Sequence, residues 1–500
     1  MRGARSVAAR VFRPGATVVL AAVVFASSLA AAVGAGIGSG SRALTSSGSS
    51  GVEALVASVG GLETLGTAVV GKSPYLAAWN VSSGKGGGDV YVTNVVSDNV
   101  SVVDGISTVA AVNVSASGLL PLDPIDDPAN PSVFVTFTSY LAHGLSHNVS
   151  LLHGPVSGGT QAVSNVTGIL ASDEPSLGVY DLSTGYVYLS DDGTTVGVLL
   201  VNATNESHYA TVPTGPTSEP RDLAVDPPTG WVYVVDLGTS SVSVVSGKAV
   251  LASMPVPSIF NTTVIRLNAT GGSFDPVYAS DIAYDTANGD LYVADTGAGK
   301  VSVLNGTRVV TNLSVGRFPY SVTYDPHNAY VYVTNAVSGS VSVISGTSVV
   351  GTVTVGKLPT DAVYDAVDGD VLVTNLNSSN VTVLNGTSVV GSIPVGTDPA
   401  YAVYDTVNGD AYVVNQGSDN VTVLGAKPAG GASGLPPWFW SIVIVVAVLL
   451  ILALVVLLTR RRKRRSGTGP PPAPTRGATG SGAPPSANTP SSPPPPGAGR

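Results

Sequence analysis

From Pro319 the chain reads PYSVTYDPHNAYVYVTNAVSGSVSVISGTSVVGTVTVGK, and from Pro359 it reads PTDAVYDAVDGDVLVTNLNSSNVTVLNGTSVVGSIPVGT. These are near copies of one unit, and self-similarity at a fixed period of this size signals a repeat architecture. Aligned on the aromatic residue or Leu that opens the YVTN-like string, the unit recurs at Tyr91, Phe134, Tyr188, Tyr233, Tyr292, Tyr332, Leu372 and Tyr412, with steps of 43, 54, 45, 59, 40, 40 and 40 residues. Within one unit, alternation with period two occurs four times, at Ser321 to Tyr324, Val331 to Thr334, Val341 to Ile344 and Val350 to Val355. Each run has the length and β-branched content of a short strand. Asn288-Gly289, Asp368-Gly369 and Asn408-Gly409 sit between strands one and two, and Gly346 and Gly386 between strands three and four. Such residues supply the positive backbone angles of tight hairpins.

Four antiparallel strands per unit of about 40 residues, repeated without helices, are the blades of a β-propeller. The reading is all-β, with about eight (seven or eight) four-stranded blades. The last unit stops after its third strand, Val421 to Leu424, and the missing fourth strand is found near the N-terminus. There LGTAVVGKSP (Leu65 to Pro74) echoes VGTVTVGKLP (Val350 to Pro359). Strand exchange between the two extremities would seal the ring and remove both open sheet edges.

The strings YVTN (Tyr91 to Asn94 and Tyr332 to Asn335), LVTN (Leu372 to Asn375) and YVVN (Tyr412 to Asn415), followed by SDNVSVVDG or SGSVSVISG, resemble the YVTN-family β-propeller repeats of surface-layer-like proteins of archaea and bacteria. The match covers roughly residues 65 to 425. Two earlier units, with VDPPTGWVYVVD and YDTANGDLYVAD, also resemble the NHL-type propeller repeat. The resemblance implies an exported propeller of seven or eight blades, used for display, adhesion or envelope structure.

Composition places this ring outside a membrane. Residues 43 to 437 carry all 32 acids and only 10 of the 23 bases, a net of -22, which disfavours nucleic acid as a partner. The chain has no Cys, which removes disulfides, thiol catalysis and thiolate-held metals. Residues 1–37 read as a signal peptide or uncleaved N-terminal anchor, with four Arg before an uncharged apolar run. Residues 38–64 are a lead-in, 65–425 the propeller and 426–437 a linker. Residues 438–459 form a C-terminal transmembrane helix, opened by Trp438, Phe439 and Trp440 and closed by the six cations Arg460 to Arg465. Residues 460–500 are a basic stop followed by a disordered, proline-rich cytoplasmic tail. The expected localisation is the cell membrane, single-pass, with the propeller extracellular.

Chemistry is sparse. Asp127, Asp181, Asp226, Asp285, Asp325, Asp365 and Asp405 end strand one in successive units, with Asn80 in the first; their place before Gly or Asn points to local turns through the side chain rather than to a cation ring. Asn94, Asp236, Asp295, Asn335, Asn375 and Asn415 end strand two and are read as caps of the next turn. His143, His147 and His153 cluster in one widened unit, without a carboxylate between Phe134 and Ala171, so metal binding is not expected there. No nucleophile elbow is present. Neither catalysis nor a cofactor is expected.

Two insertions leave the regular unit on one predicted face, at 138 to 147 and at 254 to 278, and rigid scaffolds carry recognition on such loops. Tyr140, His143, Phe260, Arg266, Phe274 and Tyr278 are the candidate recognition residues, with an extracellular protein or glycan as the expected partner. Of 24 Asn, 15 open Asn-x-Ser/Thr sequons: Asn80, Asn99, Asn113, Asn148, Asn165, Asn202, Asn205, Asn261, Asn268, Asn305, Asn312, Asn377, Asn380, Asn385 and Asn420. All fall in the predicted ectodomain and are candidate N-glycosylation sites. The function expected is a binding, adhesion or envelope-structural module. The alternative is an extracytoplasmic propeller enzyme, hydrolase, lyase or redox, with a metal or cofactor in the central channel.

Overall fold

The computed structural model describes residues 61–426, apart from 81–87, 115–118, 140–147, 158–159, 192, 194–195, 260–264, 267–272 and 275–280. Eight four-stranded antiparallel sheets follow one another along the chain. Their first strands are Pro74–Asn80, Leu119–Asp127, Pro175–Asp181, Pro220–Asp226, Ile282–Tyr284, Pro319–Asp325, Pro359–Asp365 and Pro399–Asp405, here blades 1 to 8. First strands of successive blades touch, and that of blade 8 touches that of blade 1, so these strands line the axis of a closed ring. The protein is an eight-bladed β-propeller.

Closure occurs as the echo of LGTAVVGKSP requires. Leu62–Val69 is the outer strand of blade 8 and pairs with its third strand, Asn420–Ala426, with Leu62 opposite Ala426 and Val69 opposite Asn420. The strand begins three residues before the expected start at residue 65. Leu62, with 1% of its surface exposed, belongs to the core cluster that contains Leu372, Ile393 and Leu424. The candidate transmembrane helix and the N-terminal signal lie outside the described residues; among those described, no helix is long and apolar enough to cross a membrane.

The core lies between blades, because a twisted sheet with two apolar faces must bury both. Tyr332, Val341 and Val343 of blade 6 pack on Ala362, Val371 and Val373 of blade 7. Ala68, Val414 and Val421 of blade 8 pack on Ala77, Val90 and Val92 of blade 1, so the closing junction is built like the others.

Each letter of YVTN has a structural task. The Tyr is buried and reaches into the next blade: the hydroxyls of Tyr233 and Tyr292 donate to the carbonyls of Gly306 (3.1 Å) and Gly346 (3.0 Å), in the turns between strands three and four. The Val is core. The Thr serves a bulge, because pairing between strands one and two slips just after the leading Pro and frees a backbone N–H. Thr334 Oγ1 accepts that N–H from Ser321 at 2.9 Å, and Thr93 Oγ1 accepts it from Leu76 at 3.3 Å. The Asn ties strand two to strand three. Asn94, Asn335, Asn375 and Asn415 donate to the hydroxyl seven residues on, in Ser101, Ser342, Thr382 and Thr422, and Asp236 and Asp295 accept from Ser243 and Ser302 at the same spacing. These residues therefore reach across the turn to strand-three side chains, rather than capping the turn as expected, since a side chain at the end of a strand points along the sheet face toward its neighbour.

The turns also differ from the expected form. Asp365 pairs with Asp370, leaving a four-residue loop in which only Gly369 has positive φ (73°), not a two-residue Asp-Gly hairpin. The reason is the Asp at the end of strand one. Asp365 Oδ1 accepts the N–H groups of Val367 (2.9 Å) and Asp368 (3.2 Å) and so holds a longer loop closed. Asp127, Asp285, Asp325 and Asp405 do the same in their blades, which bears out the turn reading of this series.

Candidate functional site

The polar residues that face the axis are two to three positions into strand one, not at its end. Aligned on the leading Pro, the third position holds Asp123, Asp222, Asp281 and Asp361 in blades 2, 4, 5 and 7, and Tyr401 in blade 8; the second holds Tyr75, Arg221 and Tyr320 in blades 1, 4 and 6. Each of the four carboxylates takes a backbone N–H at the fourth position of the next blade. Asp123 accepts from Gly178 (2.9 Å), Asp222 from Ile282 (3.1 Å), Asp281 from Val322 (2.8 Å) and Asp361 from Ala402 (2.8 Å). In blades 3, 6 and 8 the slip after the leading Pro is again what frees this N–H. The aspartates are thus clasps between neighbouring blades, each worth about 1 to 3 kcal/mol as a hydrogen bond to an ionisable group.

Electrostatics joins these clasps into one cluster. Burial pushes Asp123 and Asp361 up to about 7, and it also raises Asp222 and Asp281, which hydrogen-bond to each other. Two carboxyl groups in contact must share a proton. The Tyr401 hydroxyl is pushed up by burial and then by Asp361, Asp123, Asp281 and Asp222, so it lies within the field of all four. Tyr75 is raised by burial and by Asp123, with Arg221 opposing. Arg221 is buried, and Ser321 Oγ donates to Asp361 at 3.2 Å. Around the axis, near the end where strand one begins, sits a proton-sharing set of carboxyls edged by phenols and one guanidinium. It can hold protons and offer hydrogen bonds. Among the described residues no group of three or more His, Asp or Glu is arranged to hold a metal ion.

At the opposite end of strand one a second latch links blades. Tyr180, Tyr284 and Tyr404 face Asp127, Asp226 and Asp365 of the preceding blade; burial, then the carboxylate, pushes Tyr180 up to about 12. At the blade 1–2 junction the polarity is reversed. Position seven is Asn80 and position six of blade 2 is Asp126, and the Asn80 amide donates to the Asp126 carboxyl and to the Ser132 carbonyl (3.1 Å).

The expected recognition residues Tyr140, His143, Phe260 and Tyr278 lie outside the described residues. Arg266 and Phe274 belong to a short hairpin, Ile265–Arg266 with Ser273–Phe274, in which Ile265 opposes Phe274. His143 and His147 are likewise outside. His153 meets a carboxylate after all, from the next blade: its Nδ1 is 3.7 Å from Glu206 and its Nε2 is 2.6 Å from Ser164 Oγ. Of the sequon residues, Asn113, Asn148, Asn165, Asn205, Asn312, Asn377 and Asn385 are exposed, and Asn99, Asn202, Asn305, Asn380 and Asn420 are half-buried. Asn80 is buried, with its amide engaged as above. Asn305 and Asn385 use theirs on Asp290 (2.8 Å) and Asp370 (2.7 Å). Asn261 and Asn268 lie outside the described residues.

No family model matches this chain, and no curated protein matches it. Among solved structures it is similar to a streptogramin B lyase structure (10% identity, TM-score 0.46, covering 63% of this chain and 96% of that one). It is also similar to hydrazine synthase of Kuenenia stuttgartiensis (16%, 0.44, 62% and 96%) and to virginiamycin B lyase of Staphylococcus aureus (10%, 0.45, 62% and 95%).

Proposed function

We propose that the protein is a membrane-anchored, cell-surface recognition module of the YVTN, surface-layer-like type, and that it binds a protein or glycan partner without turning it over. One observation carries this reading. The two segments that depart from the repeat, 138–147 and 254–278, fall largely between strands two and three of blade 2 and between strand four of blade 4 and strand one of blade 5. In an antiparallel blade those two connections emerge on the same face. The repeat's own polar side chains are spent on bracing strands, turns and neighbouring blades. A rigid ring presenting variable segments on one rim is the arrangement recognition proteins use.

The test replaces residues 256–278 with the four-residue connection Val315-Gly316-Arg317-Phe318, which does the same job between blades 5 and 6 and leaves Ala279 and Ser280 in place ahead of Asp281. Binding of the purified exported region to envelope glycans and to cell-surface protein should be lost while melting is unchanged. Retained binding rejects the assignment. The enzymatic alternative is favoured by the shared proton of Asp222 and Asp281 at the axis. Stoichiometric metal or organic cofactor in the purified protein, or hydrolysis abolished by Asp281→Asn, would establish it instead.

A further inference from the structure

We infer that the face of the propeller carrying the turns between strands one and two rests on a lipid surface, through apolar turn tips centred on Val367 and Val407. The inference rests on the proposal that the chain is membrane-anchored, and it specifies which side of the ring meets the bilayer.

The geometry of the chain ends selects the face. Asn420–Ala426 runs from the turn that joins strands two and three, on the recognition face, to the opposite side, and ends there. Leu62 is the register partner of Ala426, so the described chain starts where it finishes. Eleven residues separate Ala426 from Trp438, the first residue of the apolar, aromatic-flanked segment, and that span reaches about 40 Å at most when extended. The short tether and both ends therefore belong to one face, and that face lies opposite the recognition loops whether or not the N-terminal apolar run is retained.

Three turn tips on the same face are apolar where turn tips are ordinarily polar. Val367 and Val407 are 66% and 52% exposed, at equivalent places in blades 7 and 8, and Leu182 holds the neighbouring place in blade 3 at 70%. The tips of blades 7 and 8 are contiguous: a Cβ at Gly409 would come within 3.1 Å of Val367 Cγ2. Gly61 adjoins the same patch, since a Cβ there would lie 3.4 Å from Asp368 Oδ2. Exposed apolar side chains are common singly. Here they cluster beside the exit of the tether and recur across the ring at Leu182, which gives the disc contact points on more than one side. An interfacial contact of a few aliphatic side chains is weak alone and becomes effective when a tether supplies high local concentration.

The absence of Cys from the sequence makes the test direct. Single-cysteine variants V367C and V407C, and V69C and V96C on the recognition face, are made in the full chain, labelled with an environment-sensitive nitrobenzoxadiazole dye and reconstituted into phosphatidylcholine vesicles carrying a shallow doxyl-lipid quencher. Val69 and Val96 are themselves 75% and 45% exposed, so labelling disturbs neither set. Emission at 367 and 407 should be lost to the quencher, while emission at 69 and 96 stays at its quencher-free level. Equal or reversed quenching in vesicles that co-float with the protein overturns the docking face and leaves the anchor standing. Failure of the full chain to co-float removes the anchor and the docking face together.

Discussion

The ring should come apart most readily at the strand that closes it, and Leu62→Ala measures how much that strand contributes. Leu62 is 1% exposed and packs among Leu372, Ile393, Tyr404 and Leu424 of blades 7 and 8. Truncating a fully buried Leu costs about 2 to 5 kcal/mol, from lost burial plus the cavity left behind. Leu62 is the first residue of an outer strand that is paired on one side only, which lets the gap partly collapse, so about 3 kcal/mol is expected, within that range. Val69→Ala lies on the same strand but is 75% exposed, and it should stay within about 0.5 kcal/mol of the parent. Urea denaturation of the exported region, followed by tryptophan fluorescence, gives both values, and unchanged slopes would show that the cost lies in stability rather than in compactness. Limited proteolysis gives an independent reading, because a loosened outer strand exposes its own backbone, Leu62–Val69, to cleavage. If Leu62→Ala and Val69→Ala prove equally harmless, the outer strand is not clasped by Asn420–Ala426 and the ring is not closed by strand exchange.

Acid should stabilise the fold. Asp123, Asp236, Asp295 and Asp361 are pushed up to about 7 by burial, against about 3.9 in an unfolded chain, so the folded form binds more protons. Their contribution is fully present below about pH 4 and lost as pH rises through about 7, so the melting temperature should fall over that window and level off above it. Asp361→Asn, which keeps an acceptor for Ala402 N–H, should flatten the slope, as calorimetry across pH would show. Asn375→Ala should cost about 1 to 3 kcal/mol by leaving Thr382 and neighbouring groups without a partner, and Asn375→Asp should be near neutral at pH 5 and destabilising at pH 8, matching the behaviour of Asp295. Ala329 occupies the left-handed place that Gly369 and Gly409 hold in the next two blades, with φ of 59°, so Ala329→Gly should raise stability by about 1 kcal/mol. In a host that N-glycosylates, peptide mapping should find sugar at the exposed Asn113, Asn148 and Asn377 and none at the buried Asn80.

Blade number, strand count and the exchanged strand were legible because they depend on periodicity, which survives in the copies even where single residues drift. The turn role of Asp325 and Asp365 was legible too, since it is local. The axial residues were not. Asp222 and Asp361 look like ordinary polar positions in PRDLAVD and PTDAVYD, and their partners are backbone N–H groups in the next blade, that of Ala402 freed by a slip in pairing that no residue type announces. A signal was present, in that Asp recurs at the same third position in four units. Glu206 was missed as a neighbour of His153 because the contact crosses between blades. The Asn of YVTN was assigned to the nearest turn when its partner stands seven residues away, a distance that only the pairing of strands two and three makes short.

The earliest strand of the ring to be synthesised waits for the latest. Leu62–Val69 leaves the ribosome before any blade exists, and its register partner Asn420–Ala426 follows only after the entire intervening domain. Quality control is thereby written into the topology. A product truncated within the final blade has no place to put its opening segment, and it presents a loose apolar ribbon to any protease that patrols nascent chains.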